Sequence, residues 1–491
     1  MKHLRITFLL AVLICTTEAK MYAHDIEAQN SDGVTIFYVW TNNHKELSVS
    51  YRGTSEKAYK NEYTGNVEIP ESVEYDGKSY KVTSISEYAF TGCYGLTSVA
   101  IPKSIASIGI HAFSECYHVD IVKISDLSAW CKIVFDSYDA NPMSWGTHLY
   151  LDGKEIFDLC IPDDITSIND CSFAGAKYLK SLVVNNNVKS IGVGSFYGCG
   201  FTSVRLPTKM KSIGESAFSS CRNLASFIIP DGISKICNST FANCEKLYSI
   251  TIPNSVTEID VAAFYYTGFS SVVIPNSVVS IGELAFADCR DLRSVVLSSG
   301  TKVIKKNTFS HSGLELLSIP DGVECIEEQA FSYCQNLASV ALPQTLKKIE
   351  NYAFVDCGIL TMTIPGNVES IGAGAFSGCR ELSSVNLEDG IMEIGEEAFC
   401  RCGISSIVIP KSVVKLGDKV FCQSGLKSVT IQDGVTDIGM AFRESGIYSI
   451  DVPNSVTSIK EEAFFNCHDL TYVTLHEGLT EIGNRAFCDC I

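Results

Sequence analysis

Cysteine is the residue type here with the most chemistry to offer. The chain has 491 residues and 21 cysteines, 20 of them beyond residue 23. In an exported protein that number suggests a disulfide framework. Cys400-Arg401-Cys402 and Cys488-Asp489-Cys490 have the close spacing of metal-binding thiols, but neither has a histidine beside it and the two lie far apart. Zinc is therefore disfavoured, and no metal or other cofactor is expected. The nine histidines are scattered, with no HExxH, Walker loop or GxSxG turn among them. His111, His311 and His468 sit at variable positions that default to solvated surface. The acid pairs Glu327-Glu328, Glu396-Glu397 and Glu461-Glu462 recur where a short helix would begin, and a carboxylate there suits the helix dipole better than acid–base work. No catalytic constellation emerges, so the chain is read as a non-enzyme.

These residues are placed by a repeat. Leu247 to Phe264, LYSITIPNSVTEIDVAAF, is the unit from which most of the chain is copied. The phenylalanine closing each unit falls at 90, 113, 173, 196, 218, 241, 264, 286, 309, 331, 354, 376, 399, 421, 442, 464 and 487. After 173 the spacing is 22 or 23 residues, with a single 21. Shorter units carry a glycine, as in Cys357-Gly358-Ile359 and Ser424-Gly425-Leu426, which is read as absorbing the deleted residue through its conformational freedom. Each unit begins with a strand whose alternate residues point inward. Twelve of the 13 prolines follow that strand, ending it and starting a turn. Where proline is missing, Gly300, Gly390, Gly434, Gly478 or Asn187 appears three places on, as if a positive φ were needed. Ile-Gly-Glu-x-Ala-Phe, as at Ile213 to Phe218, reads as a second short strand, a turn and a short helix.

Within the repeat the thiols acquire a duller meaning. Twelve cysteines, from Cys93 to Cys490, lie three residues after the closing phenylalanine, and the substitutes there are Ala176, Thr267, Ser312, Ser424 and Ser445. A column that wants small volume and burial describes a stack of free thiols. Cys400 and Cys422 fall outside it, one place after the phenylalanine in consecutive units, and form the best candidate for a disulfide.

The recurring Leu-x-Ser-Val-x-Ile-Pro-x-Ser-Val-x-x-Ile-Gly-x-x-Ala-Phe-x-x-Cys, clear in Leu96 to Cys116, Leu337 to Cys357 and Leu470 to Cys490, resembles the BspA-type leucine-rich repeats of secreted and surface proteins from host-associated microbes. The likeness covers residues 66–491. It implies an α/β solenoid, a leucine-rich-repeat-like right-handed superhelix with a parallel sheet on the concave face and short helices and turns outside. It also implies an adhesin that binds extracellular-matrix proteins or other bacteria.

The rest of the chain frames that array. Residues 1–23 read as a secretory signal peptide, with basic Lys2 and Arg5, an apolar run from Ile6 to Ile14, and Ala19 and Ala23 near plausible cleavage points. Ile14 is too large for a lipobox before Cys15. No later stretch is long and apolar enough to span a bilayer. Residues 24–65 carry two strand-like runs and read as an N-terminal β cap over the raw end of the array. The net charge of −18 argues against nucleic acid or anionic lipid.

Two surfaces are candidates for binding. The enlarged coil at 125–155 holds Trp130, Phe135, Tyr138, Trp145 and Tyr150, aromatic residues suited to sugars or to anchoring a partner. The outward column of the first strand includes Arg205, Thr251, Val273, Val296 and Asn386, beside a column that is serine in twelve of seventeen units. The expectation is a secreted or cell-surface binding or adhesion protein engaging a host matrix or cell-surface protein, or a glycan. The competing reading is a surface-coat or spacer protein with no specific ligand.

Overall fold

A computed structural model describes residues 24–53 and 61–490, so the signal-peptide reading of residues 1–23 lies outside the described residues. The chain winds into a solenoid of short parallel strands. Most units place a first strand of three or four residues and a second of two alongside the same strands of the next unit, in parallel ladders that break and resume along the array. Serine stands opposite serine in the first ladder (Ser226 opposite Ser249, Ser271 opposite Ser294, Ser406 opposite Ser428), and isoleucine opposite isoleucine in the second (Ile259 opposite Ile281). Alternation along the first strand sends Val272 and Ile274 inward, 4% and 1% exposed, while Val273 between them is 65% exposed. The proline turn closes with a hydrogen bond from the amide three residues on, as from Val256 N to Pro253 O at 3.1 Å.

Among the described residues after Phe173 the expected outer helices are almost absent, a single 3-10 turn at Met440–Phe442 excepted. Ile-Gly-x-x-Ala-Phe runs as turns, and its geometry explains why. The residue two before the closing phenylalanine and the residue two after it take left-handed φ in almost every unit: Ala262 at 52° and Tyr266 at 54°, Glu397 at 55° and Arg401 at 58°. Non-glycine residues there cost free energy, but each turn gives its amides to the next unit, as in Ala262 N to Glu283 O, Phe264 N to Ala285 O and Tyr266 N to Ala287 O, all at 2.9 Å. Those bonds offset the strain and leave no i→i−4 ladder. The acid pairs therefore have no helix dipole to satisfy. They reach cations on neighbouring units instead: Glu328 to Lys306 at 2.9 Å, Glu397 to Lys419 at 3.7 Å, Glu462 to Arg485 at 2.9 Å.

Glycine also works differently from expectation. A Cβ on Gly200, Gly358 or Gly434 would lie 1.9, 2.1 or 2.0 Å from a carbonyl oxygen of the preceding unit, and none of the three has a positive φ. Of the five turn residues read as needing positive φ, Gly390 alone has one. The others are selected, where they are selected at all, by how closely consecutive coils approach.

The core is a column of rings. From Phe173 to Phe487 the closing phenylalanines stack unbroken, with centroids 5.0–6.0 Å apart. Phe90 and Phe113 form a separate pair at 4.7 Å, covered from the N-terminal side by Tyr63 at 4.6 Å. On that side three antiparallel strands, Ile26–Gln29, Thr35–Thr41 and Glu46–Ser50, continue the second ladder through the parallel pairing of Glu46–Ser50 with Lys78–Ile85.

Candidate functional site

The thiol column is structural, and the bond each member makes is specific. Eleven cysteines donate Sγ–H to the carbonyl of the closing phenylalanine one unit back, at 3.0–3.2 Å, for example Cys221 to Phe196 and Cys357 to Phe331. Burial pushes ten of these eleven thiols up, Cys289 to about 11 and Cys379 to about 12, while at Cys334 burial is outweighed by hydrogen bonds with Cys357 and Ser312, which hold the thiol down. A thiol held protonated there is a poor nucleophile and a poor metal ligand. The Cys-x-Cys pairs are split by this arrangement. Cys402 donates to Phe376 O at 3.1 Å inside the core, whereas Cys400 faces a surface pocket.

The enlarged coil is where the column of rings breaks. Phe113 donates its amide to Asp139 O, the contact that Phe173 makes with Ser195 O, so Ala140 stands where a phenylalanine would close the unit. Carbonyls that backbone amides or thiols cap elsewhere are capped here by side chains. Trp130 Nε1 donates to Ser172 O at 2.9 Å, Asn141 Nδ2 to Cys171 O at 2.6 Å and Ser172 O at 3.1 Å, and Trp145 Nε1 to Phe113 O at 3.2 Å. The helix Leu127–Lys132, N-capped by the Asp126 carboxylate on Ala129 N, points Trp130 inward. The first ladder continues through His148–Leu151, doubles back through Lys154–Glu155 and resumes at Asp158–Cys160, which pairs with Ser181–Val183.

Of the aromatic residues proposed for binding in this coil, Trp130 and Phe135 are 1% and 5% exposed and pack on each other at 5.5 Å. They cannot meet a ligand. Tyr138 is half-buried, donates to Ser144 O at 2.9 Å and lies edge-on to Tyr197 at 5.2 Å, and burial pushes its hydroxyl up. Tyr150 is half-buried in the strand His148–Leu151. Trp145 is 37% exposed and meets Tyr117, itself 53% exposed, edge to face at 4.6 Å. Asn141, fully buried and central to this junction, carries no signal in the sequence, because its bond to Ser172 O takes the place of an amide that the preceding unit supplies elsewhere.

The outward column of the first ladder is exposed from Arg205 to Asp451. Arg205, Thr251 and Asn386 face solvent, with Val273 at 65%, Val296 at 57% and the neighbouring Ile228 at 74%. Leu316, which replaces the column serine, adds 65% exposure. Between Ser226 and Ile431 ten consecutive first strands present no charged side chain, bracketed by Arg205 on one side and Asp451 on the other. A shallow groove of 770 Å³ crosses this face, lined by Tyr248, Thr251, Asn254, Val273, Asn276 and Val296 among others.

A stack of coils that each supply the next one's wall, with variable side chains only on the outside, defines a repeat scaffold rather than a reaction centre. The chain belongs to the BspA-type leucine-rich repeat family: the profile described as a BspA type leucine rich repeat region, in 6 copies, matches residues 52–140, 147–268, 257–382, 347–448 and 369–491. The gap at 141–146 falls in the coil where the rings break. Among solved structures it is similar to a leucine-rich repeat protein from Bacteroides ovatus (22% identity, 93% of this chain and 91% of that one, TM-score 0.49). It is also similar to a leucine rich cell surface protein from Faecalibacterium prausnitzii (22% identity, 92% and 94%, TM-score 0.40). A leucine-rich repeat protein from Eubacterium ventriosum gives 21% identity over 72% of this chain and 95% of that one, with a TM-score of 0.44. Among curated proteins none matches the chain. Among the described residues no helix is long and apolar enough to cross a membrane.

Proposed function

We propose that the protein is a secreted or cell-surface, non-enzymatic binding module, and that the serine-faced sheet engages a host matrix or cell-surface protein, or a glycan. One observation carries this reading: ten adjacent strands without a charge on a chain of net charge −18. Solvated surfaces ordinarily intersperse charges, and the exposed Ile228, Val273, Val296, Leu316 and Val408, set among small polar residues, cost solubility unless they serve contact. Hydroxyls beside the apolar row supply hydrogen bonds without the desolvation cost of a charge. The sheet offers backbone rigidity, so a ligand loses entropy without forcing the protein to lose its own.

The test is binding of the full chain to immobilised matrix proteins and mucin glycans. Val273→Asp with Val296→Asp should abolish the signal and leave the thermal melt unchanged, whereas Trp145→Ala should leave binding intact. Absence of binding by the unaltered chain across the panel would favour the spacer reading. Binding that survives the double aspartate variant would move the contact surface elsewhere.

A further inference from the structure

Cys400 and Cys422 stand apart from every thiol of the core column. Each sits one place after its closing phenylalanine, and the hydrogen bond from Arg401 N to Cys422 O, at 2.9 Å, sets the two cysteines side by side on consecutive units. Phe399 and Phe421 stack at 6.0 Å immediately before them. Partners at one strand spacing fall inside the Cα range a disulfide needs. The column is otherwise filled by residues such as Ser332 and Ser377, and neither sulfur reaches a phenylalanine carbonyl. Instead both line a polar pocket of 360 Å³ with Ser377, Arg401, Lys419 and Glu444. Cys422 Sγ–H points to Glu444 Oε2, at 3.9 Å.

From this juxtaposition we propose that Cys400 and Cys422 form a redox-active dithiol that closes to a disulfide between consecutive units on reaction with a low-molecular-weight disulfide. Cys400 is the attacking group: the hydrogen bond from Cys422 and the adjacent Arg401 guanidinium hold its thiol below the usual cysteine range, while Cys400 itself and burial push Cys422 up. The Cys400 thiolate attacks one sulfur of the oxidant, forming a mixed disulfide and releasing the first thiol. Cys422 then attacks the Cys400 sulfur and releases the second. Two protein thiols are oxidised, one small disulfide is reduced to two thiols, and both protons leave with those thiols. Cys334 and Cys357 also neighbour each other across units, but both donate to phenylalanine carbonyls inside the core, which keeps them out of reach of the oxidant.

Native full-length protein is incubated with oxidised glutathione, quenched with iodoacetamide and mapped by peptide mass spectrometry. The expected product is one new cross-link joining the peptides that hold Cys400 and Cys422, with the column cysteines recovered as thiols after unfolding. Cys422→Ser should trap a glutathionyl group on Cys400, and Cys400→Ser should lose the reaction. Serine already occupies this column at Ser332 and Ser377, and an unchanged melt for both variants confirms that they fold. Recovery of Cys400 and Cys422 as two alkylated thiols, or a cross-link of either to a column cysteine, would overturn the proposal. So would trapping on Cys422 in the Cys400→Ser protein.

Discussion

The regular array after Phe173 and the coil between Ile124 and Asp158 solve one problem in opposite ways. Both must satisfy the backbone groups that face the next unit. The array does so by repetition, with an amide, a ring and in most units a thiol handed to a similar neighbour. The coil has Ala140 where the ring should be, and it answers with side-chain donors that occur once each: Trp130, Asn141 and Trp145. Repetition spreads stability over many equal contacts. The junction concentrates it in three side chains, so its tolerance to substitution should be poorer and more residue-specific.

The largest effect should come from breaking the ring column. Phe241 is fully buried between Phe218 at 5.9 Å and Phe264 at 5.6 Å, and Phe241→Ala should cost about 3–5 kcal/mol. Urea unfolding should show the loss, and amide exchange should show fraying in the units on either side. An unchanged melt would remove the ring column from the core. Next comes Gly200→Ala, whose new Cβ would lie 1.9 Å from Lys177 O; about 1–3 kcal/mol is expected. Gly425→Ala meets nothing nearer than 3.4 Å and should leave the melt almost unmoved, so equal melts for the two would refute close approach as the reason for these glycines.

A subtler contrast separates donor from bulk. Trp130→Phe keeps most of the ring but leaves Ser172 O with Asn141 as its remaining capping side chain, and about 1–2 kcal/mol should be lost. Trp130→Phe as stable as the original would mean that the indole is there for volume alone. The smallest change is in the thiol column: Cys244→Ser should turn its donor to Phe241 O of its own unit, as Ser424 donates to Phe421 O at 2.6 Å, and stay close to the original, whereas Cys244→Ala should cost about 1 kcal/mol. A serine variant weaker than the alanine variant would mean that burial, and not the hydrogen bond, sets that position.

The repeat made the ladders and the buried thiols readable before any coordinate, because each column repeats a residue type often enough to show what it requires. The outer turns were not readable. Their left-handed positions accept Tyr88, Cys171, Leu284 and Lys419 alike, so no residue preference betrays the conformation. What holds it is hydrogen bonding to the next coil, a tertiary fact. For the same reason Trp130 suggested a ligand when it is buried with its nitrogen on Ser172 O, while Trp145, bonded to Phe113 O, keeps an exposed ring. The uncharged sheet face shows in the sequence as a column of serine beside valine and threonine, and Leu316 escapes that pattern because it replaces the serine.

The ring column has a genetic corollary. Removing one complete unit between Phe173 and Phe487 brings together two faces that already fit, because every coil offers its successor the same phenylalanine and carbonyl beside a small buried side chain. Unequal recombination between units can therefore lengthen or shorten the protein without inventing an interface, and the extent of the uncharged face becomes adjustable in steps of one strand.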